Sequence, residues 1–376
     1  MANTIKTNAI ISATGLYTPE DSVSNEQLVI AFNQYVDLFN ETNKSAIAEE
    51  KVQALTYSSA EFIEKASGIQ SRHFIAKDGI LDATILAPRL PERSDDEPSI
   101  LAEMAVSAAK SALQTAGRDI KDIDLIIVAC SNLQRAYPAI SVEVQYFLGA
   151  AGFAYDMNVA CSSATFGIKA ANDAIIAGTA KSVLVISPEV CSGHLNFADR
   201  DSHFIFGDAA TAVLVEHESR SDAGYKIIDT KCITQFSNNI RNNFGFLNRL
   251  SPETRDNKDK LFRQQGRKVF KEVTPMVSEL ISNHLQTNQI ADGRLKRLWL
   301  HQANLSMNQY ISKKVLGKDF SKEQSPIILD EYGNTSSAGS IIAFHKHSDD
   351  LQTGDVGVIC SFGAGYSAGS VILEKR

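Results

Sequence analysis

The chain has 376 residues, 44% of them hydrophobic, and carries 37 basic against 44 acidic side chains for a net charge of −7. That length allows two domains of ordinary size or one large two-part core. The acidic balance speaks against a nucleic-acid binder, which shows a basic excess, and no apolar run approaches the ~20 residues needed to span a bilayer.

Five cysteines (Cys130, Cys161, Cys191, Cys232 and Cys360) show no CxxC spacing, so no structural zinc site is expected. Residues 1–7 lack an apolar signal core. The expectation is a soluble cytoplasmic protein with reduced thiols.

Short β-rich runs alternate with longer Ala-rich helical stretches. Asn8 to Gly15 reads as a strand, and residues 24–66 read as helices with polar interruptions. Pro88, Pro91 and Pro98 with many charges mark residues 77–98 as a loop or insertion. Ser99 to Ala116 predicts an amphipathic helix with Ser99 as N-cap and Gly117 as its stop. Asp124 to Cys130 is a buried strand, and Val142 to Leu148 a helix ending at Gly149. Phe153 to Ala160 predicts a strand, 162–177 a helix, and Val183–Ser187 and Ala210–Glu216 two further strands.

The pattern then restarts. Tyr225–Cys232 reads as a strand, Lys268–Leu285 as a helix and Arg297–Leu300 as a strand. A helix from Ser306 to Leu316 precedes strands near Ile327–Leu329, Val356–Ser361 and Ser370–Glu374. Two βα-alternating halves imply a layered α/β fold with helices covering sheets. They divide near residue 217, giving halves 1–217 (with insertions in 24–98) and 218–376. A single large α/β domain is the other reading.

Three separated segments carry chemistry: Asn158-Val159-Ala160-Cys161-Ser162-Ser163, Leu300-His301-Gln302-Ala303-Asn304 and Gly333-Asn334-Thr335-Ser336-Ser337-Ala338-Gly339. Cys161 falls where a strand gives way to a helix, and a helix N-terminus favours thiolate. Its small neighbours let a thioester approach the sulfur. Taken alone, Cys161 reads as readily as a core cysteine, His301 as a buried histidine, and Asn334 as a turn residue. The other four cysteines read as core, as do the remaining histidines.

Further segments make the chain recognisable. They are Gly68-Ile69-Gln70-Ser71-Arg72-His73, Tyr137-Pro138, Phe206-Gly207-Asp208-Ala209-Ala210, Gly266-Arg267-Lys268-Val269-Phe270-Lys271 and Phe362-Gly363-Ala364-Gly365. With the three above, in this order, the chain resembles the β-ketoacyl-acyl-carrier-protein synthase III family of the thiolase superfamily over nearly its whole length. The resemblance implies a thiolase-like layered α-β-α-β-α fold built from two similar βα halves. It implies acyl transfer to Cys161, then decarboxylative condensation with a malonyl- or β-ketoacyl-type thioester on acyl carrier protein. His301 and Asn334 match the two groups that act on the malonyl thioester. The backbone at Cys161 and Ala364 matches the oxyanion hole.

By the same resemblance Phe62, Tyr137, Arg200, Phe206 and Asn304 are substrate-side positions, Tyr137 crossing a dimer interface. Arg263, Arg267, Lys268, Lys271, Lys313 and Lys314 are candidates for docking the acidic carrier protein. No metal or redox cofactor is implied, the substrates being carried on CoA or phosphopantetheine. Asparagine cannot act as a base, which favours enolate stabilisation over a competing ester- or amide-forming acyltransferase. A Cys-His-Asn hydrolase and a non-catalytic partner subunit fit less well. Relatives primed by acyl-CoA often place a tryptophan and an arginine where this chain has Phe62 and Ala66, and a basic residue where it has Ser306. These departures point toward a specialised synthase, taking a longer or aromatic acyl chain or a β-ketoacyl acceptor, rather than simple acetyl-CoA priming.

Overall fold

The computed structural model describes residues 8–245, 247–291 and 293–376. In chain order the strands are β1 (Ala9–Tyr17), β2 (Asp21–Ser24), β3 (Ser71–Phe74), β4 (Leu125–Ala129), β5 (Phe153–Met157), β6 (Ser182–Glu189) and β7 (Ala209–His217). They continue as β8 (Tyr225–Ser237), β9 (Ile240–Arg241), β10 (Arg263–Gln264), β11 (Leu295–Leu300), β12 (Val356–Gly363) and β13 (Gly365–Lys375). Nine of them form one sheet in the order β11-β12-β13-β8-β1-β7-β6-β4-β5. The order repeats about the β1–β8 pair. On one side β7 is antiparallel to β6, which is parallel to β4. On the other, β13 is antiparallel to β12, which is parallel to β11. Within the sheet, among the described residues, the two wings are paired through Ile10 with Lys226 and Ile11 with Tyr225.

Strand periodicity explains the layering. Along β4, Leu125, Ile127 and Ala129 face one core while Ile126 and Val128 face another. The first core also takes Trp299, Ile359 and Val371 from the other wing, so it lies between the two. Its filling comes from the helices Ser163–Ile176 and Gly339–Lys346. The outer face of the first wing is covered by Ile100–Ala116 and Ile140–Leu148, and that of the second by Gly266–Thr287 and Leu305–Leu316. The result is helix, sheet, helix, sheet, helix, the thiolase-like layering expected.

The central helix is tightly gripped. A Cβ on Gly167 would lie 2.6 Å from Val185 of the first wing, and one on Gly369 of the second would lie 2.3 Å from Thr165. Ser99 caps its helix by accepting from Ala102 N, and Gly117 ends it at φ +62°, as the sequence predicts.

One expectation fails here, and one element was not foreseen. Ile327–Leu329 is not a strand: Ile328 N donates to Gln302 Oε1, and its carbonyl accepts from Glu331 and Tyr332, opening a short helix at Leu329. The helix Gly339–Lys346 was not anticipated. It starts on glycine without a capping side chain and carries adjacent Ile341 and Ile342, so burial rather than propensity forms it.

Candidate active site

Strand β5 ends at Met157, earlier than the predicted Ala160, because the chain turns sharply before Cys161. Ala160 takes φ +49°, a left-handed conformation few non-glycine residues adopt. The turn is tied from several sides. Asn158 Oδ1 accepts from Ala160 N at 2.9 Å, and its Nδ2 donates to Ser131 O at 2.9 Å. Ser163 Oγ accepts from Val159 N and donates to Ala160 O. Ser162 Oγ donates to Ser367 O on β13, locking the nucleophile turn of one wing to the other. Gly363 backs against Cys161, where a Cβ would come within 2.6 Å of the cysteine Cβ and 3.0 Å of Sγ.

The thiol does not match the thiolate expected from the helix start. Cys161 as a residue is only partly buried, yet the atoms packed around its sulfur push its pKa up to about 11, and Glu189 adds to this. Ser336, whose hydroxyl lies nearby without a well-formed hydrogen bond, and the backbone at Ala364 and Cys161 act the other way. The helix begins only at Ser163, with Ser162 as an N-cap whose side chain makes no capping bond. Desolvation therefore outweighs the helix end and favours the neutral thiol at rest.

His301 follows β11 directly and is held by its N–H to Cys360 O at 2.8 Å. Its ring packs edge-on against Phe362, 5.2 Å between centroids. Burial lowers the imidazole pKa to about 4, so the ring is neutral, and the Ser336 backbone beside it works in the opposite direction. Nδ1 has no hydrogen-bond partner among the described residues.

Asn334 is fixed at both ends of its peptide unit, donating to Ile205 O and accepting from Gly207 N. Its Oδ1 accepts from Ser336 N at 2.9 Å, while Nδ2 donates to no group among the described residues. Ser336 thus touches all three expected positions: it orients Asn334, lies beside His301 and stands by the Cys161 sulfur. At φ +50° it is another left-handed non-glycine residue, a signal composition cannot give.

Glu189, missed in the sequence, is fully buried behind this turn. It accepts from Ser131 N at 3.0 Å, Ser131 Oγ at 2.6 Å, Ser337 N at 3.3 Å and Ser337 Oγ. Burial lifts its pKa to about 7, against the pull of these donors. It ties the end of β6 to the 336–338 turn.

The other expected residues separate. Phe206 is buried against Phe262 and His194 and pairs through its backbone with Asn334, so it supports the site from behind. Arg200 lies on Phe62, 4.0 Å from the ring centroid, and donates through Nε to Tyr57 O; the two faces touch and leave no ring-wide slot between them. Asn304 caps the helix Leu305–Leu316 through Oδ1 and donates to Ala66 O through Nδ2, which commits both ends of its amide within the protein. Tyr137 is 85% exposed. Arg267, Lys268, Lys271, Lys313 and Lys314 are exposed on two outer helices that share one core, and none forms an ion pair among the described residues. Cys130, Cys191 and Cys360 are buried, while Cys232 is partly exposed. A cavity of about 1080 Å³ lies between the 90–97 segment, the 132–138 loop and the helix Ile140–Leu148; Asn132, Leu133, Val190 and His194 are among its lining residues.

The fold is that of the thiolase-type condensing enzymes, and the cluster around Ser336 is compatible with acyl transfer. The family described as 3-oxoacyl-[acyl-carrier-protein] synthase III matches residues 155–235, and its C-terminal counterpart matches 285–375. The chain is 61% identical over 348 residues to a β-ketodecanoyl-[acyl-carrier-protein] synthase of Pseudomonas aeruginosa, covering 92% of this chain and 99% of that protein. It is 32% identical over 317 residues to β-ketoacyl-[acyl-carrier-protein] synthase III of Aliivibrio fischeri, covering 83% and 93%. The crystal structure of 3-oxoacyl-[acyl-carrier-protein] synthase III from Aquifex aeolicus superposes with a TM-score of 0.75 at 26% identity, over 98% and 99% of the two chains. The priming β-ketosynthase of the R1128 polyketide pathway shares the fold, with a TM-score of 0.76 at 23% identity over 98% and 96%. The chain belongs to the 3-oxoacyl-acyl-carrier-protein synthase III family and is a condensing acyltransferase. Among the described residues no helix is long and apolar enough to cross a membrane.

Proposed function

We propose that this enzyme transfers a medium-chain acyl group to Cys161 and condenses it with a malonyl thioester on acyl carrier protein, releasing a β-ketoacyl thioester of the β-ketodecanoyl type. The chain length rests on the 61% identical relative of that name. One observation carries the residue roles. Asn334 has its oxygen occupied by Ser336 N and its Nδ2 free, on the turn that also borders the neutral His301 and Cys161.

In the first half-reaction the Cys161 sulfur attacks the donor thioester. The backbone N–H groups of Cys161 and Ala364 would receive the tetrahedral oxyanion. The carrier thiol leaves with the proton the cysteine gives up, so acyl-S-carrier and thiol become acyl-S-Cys161 and carrier thiol. In the second, the malonyl carboxylate departs as carbon dioxide and charge collects on the thioester oxygen. His301 and Asn334 donate to it as neutral N–H groups, which need no proton transfer. The carbanion attacks acyl-S-Cys161 and expels its thiolate. A site that holds the thiol pKa near 11 takes a proton from water at once and resets.

The proposal includes a cytoplasmic homodimer. Strand β5 is a sheet edge carrying Phe153 and Tyr155, 46% and 38% exposed, beside Tyr146 at 79%. An apolar edge of this kind is suited to pairing, and Tyr137 would then reach a second copy. The acyl chain is assigned to the large cavity, whose Asn132 is next to Ser131, the residue that holds Asn158 in the nucleophile turn. Arg267, Lys268, Lys271, Lys313 and Lys314 are assigned to the carrier protein. Intact-protein mass spectrometry with octanoyl-CoA should show acylation of the wild type and none of Cys161→Ser. Adding malonyl-carrier protein should then release carbon dioxide with the β-keto product. Turnover of the acyl-enzyme to an ester or amide without carbon dioxide would overturn the condensing mechanism.

A further inference from the structure

Apart from the catalytic cluster, a recess of about 300 Å³ is lined by Asn238, Asn239, Arg241, Arg263, Gln264 and Gln265. Arg241 and Arg263 are direct cross-strand partners on the β9–β10 ribbon, and both are exposed. Like charges directly opposite in an antiparallel pair destabilise it. Neither guanidinium makes a hydrogen bond or ion pair among the described residues. Asp259 feels the charge of Arg241 but is bonded to Asn243 and pairs with Lys260. Glu272, at the edge of the recess, is engaged by Asn239 and Tyr366. The side-chain amides of Asn238, Gln264 and Gln265 are likewise without partners. Two unopposed guanidinium forks, with three amides free to donate beside them, form a donor-rich surface that meets no carboxylate among the described residues.

The recess also has a defined place. Asn239 Nδ2 donates to Tyr366 Oη at 2.8 Å, and Tyr366 is two residues from Ala364, whose backbone borders the Cys161 sulfur. The helix Gly266–Thr287 starts beside it with no acidic residue in its first turn.

We infer that Arg241 and Arg263 hold the phosphate of the phosphopantetheine arm, with the neighbouring amides meeting the polar groups of that arm. The inference rests on the reading that substrates arrive as phosphopantetheine thioesters. A phosphate gives each arginine a bidentate acceptor and removes the cost of their juxtaposition. The source is either CoA or a holo carrier protein, since both present this group.

Equilibrium titration tests it without turnover, so a failure here is separate from a failure of the condensing mechanism. CoA, 4′-phosphopantetheine and pantetheine are titrated into wild type and Arg241→Gln/Arg263→Gln. Loss of two charge-assisted contacts should weaken CoA and 4′-phosphopantetheine about tenfold each and leave phosphate-free pantetheine unchanged. Arg241→Lys/Arg263→Lys should recover part of the loss. Unchanged binding of both phosphate-bearing ligands, or equal weakening of pantetheine, overturns the assignment. Titration with holo and apo carrier protein identifies the second source. A loss confined to the holo form adds the carrier arm, no loss with either form restricts the site to CoA, and equal loss with both overturns the phosphate reading in favour of the carrier's acidic surface.

Discussion

Gly363→Ala should inactivate the enzyme without unfolding it. The new Cβ would lie 2.6 Å from Cys161 Cβ, 3.0 Å from Sγ and 3.2 Å from the cysteine N. Carbon contacts are optimal at 3.5–4.0 Å, so one partner has to move by about 1 Å. Gly363 closes the fully buried β12 and pairs with Ser367 of β13, whereas Cys161 sits on a turn that already holds Ala160 in a left-handed conformation. The nucleophile turn is the softer side and should be displaced. Overpacking costs about 1–3 kcal/mol, which lowers the melting temperature by a few degrees. A misplacement of about 1 Å can cost about 10²-fold in rate. Rapid-quench acylation by octanoyl-CoA, read by intact mass, together with a thermal melt separates the two effects. Wild-type acylation at a wild-type melting temperature would show that β12 yields instead, and the steric reasoning would fail.

Alkylation of Cys161 by iodoacetamide should rise about tenfold per pH unit from pH 7 to 9, with no plateau below pH 10, because a thiol at about 11 is about 10⁻⁴ ionised at pH 7; a plateau near pH 7 would refute the neutral resting thiol. Asn334→Ala should slow release of carbon dioxide from malonyl-carrier protein by about 10²–10³-fold while Cys161 still acylates, and equal loss of both steps would count against its assigned role. Glu189→Gln should flatten the pH dependence of stability. The Glu189 pKa is raised from 4.5 to about 7, so its contribution is full below 4.5 and is lost as pH rises through 7; melting curves from pH 4.5 to 8 should show a smaller decline in the variant, with the buried Asp208, raised to about 6, supplying the remaining slope. An unchanged profile would refute this. Tyr155→Lys on the β5 edge should yield monomers in sedimentation velocity, and an unaltered dimer would exclude that edge as the interface.

The layers were legible because strands and helices here bury alternate and periodic residues in the ordinary way: the continuous apolar run Leu125–Ala129 and the alanines of Ser163–Ile176 announce a two-sided strand and a helix squeezed between sheets. The sequence names three candidate positions, Cys161, His301 and Asn334, which the structure gathers around Ser336, but it does not disclose their electrostatics. A helix start beside a cysteine suggests thiolate, and nothing in the sequence states how deeply the sulfur is buried. Glu189 and Ser336 were invisible for a related reason. A glutamate after a strand reads as a surface residue, and a left-handed serine has no compositional mark. Asn304 matched a motif, yet its amide is spent on a helix cap and on Ala66, a contact between segments 238 residues apart.

The join between the wings gives a physical reason for the neutral groups of the proposed mechanism. Cys161 comes from the first wing, and His301, Asn334 and the Gly363–Ala364 backbone from the second, so the reacting atoms meet in the space both wings bury. A permanent thiolate–imidazolium pair placed there would incur the desolvation cost of two ions. The lowered imidazole and raised thiol pKa values are the same burial acting on opposite charge types. In the proposed mechanism charge exists only in passing, first on the acyl oxyanion and then on the enolate oxygen, and each time it would meet fixed N–H donors that need no solvent to reorient. Ser336 makes the arrangement one unit: turning the Asn334 amide through its backbone N–H also places Ser336 beside the ring and the sulfur, so a shift in that one turn would reach both half-reactions.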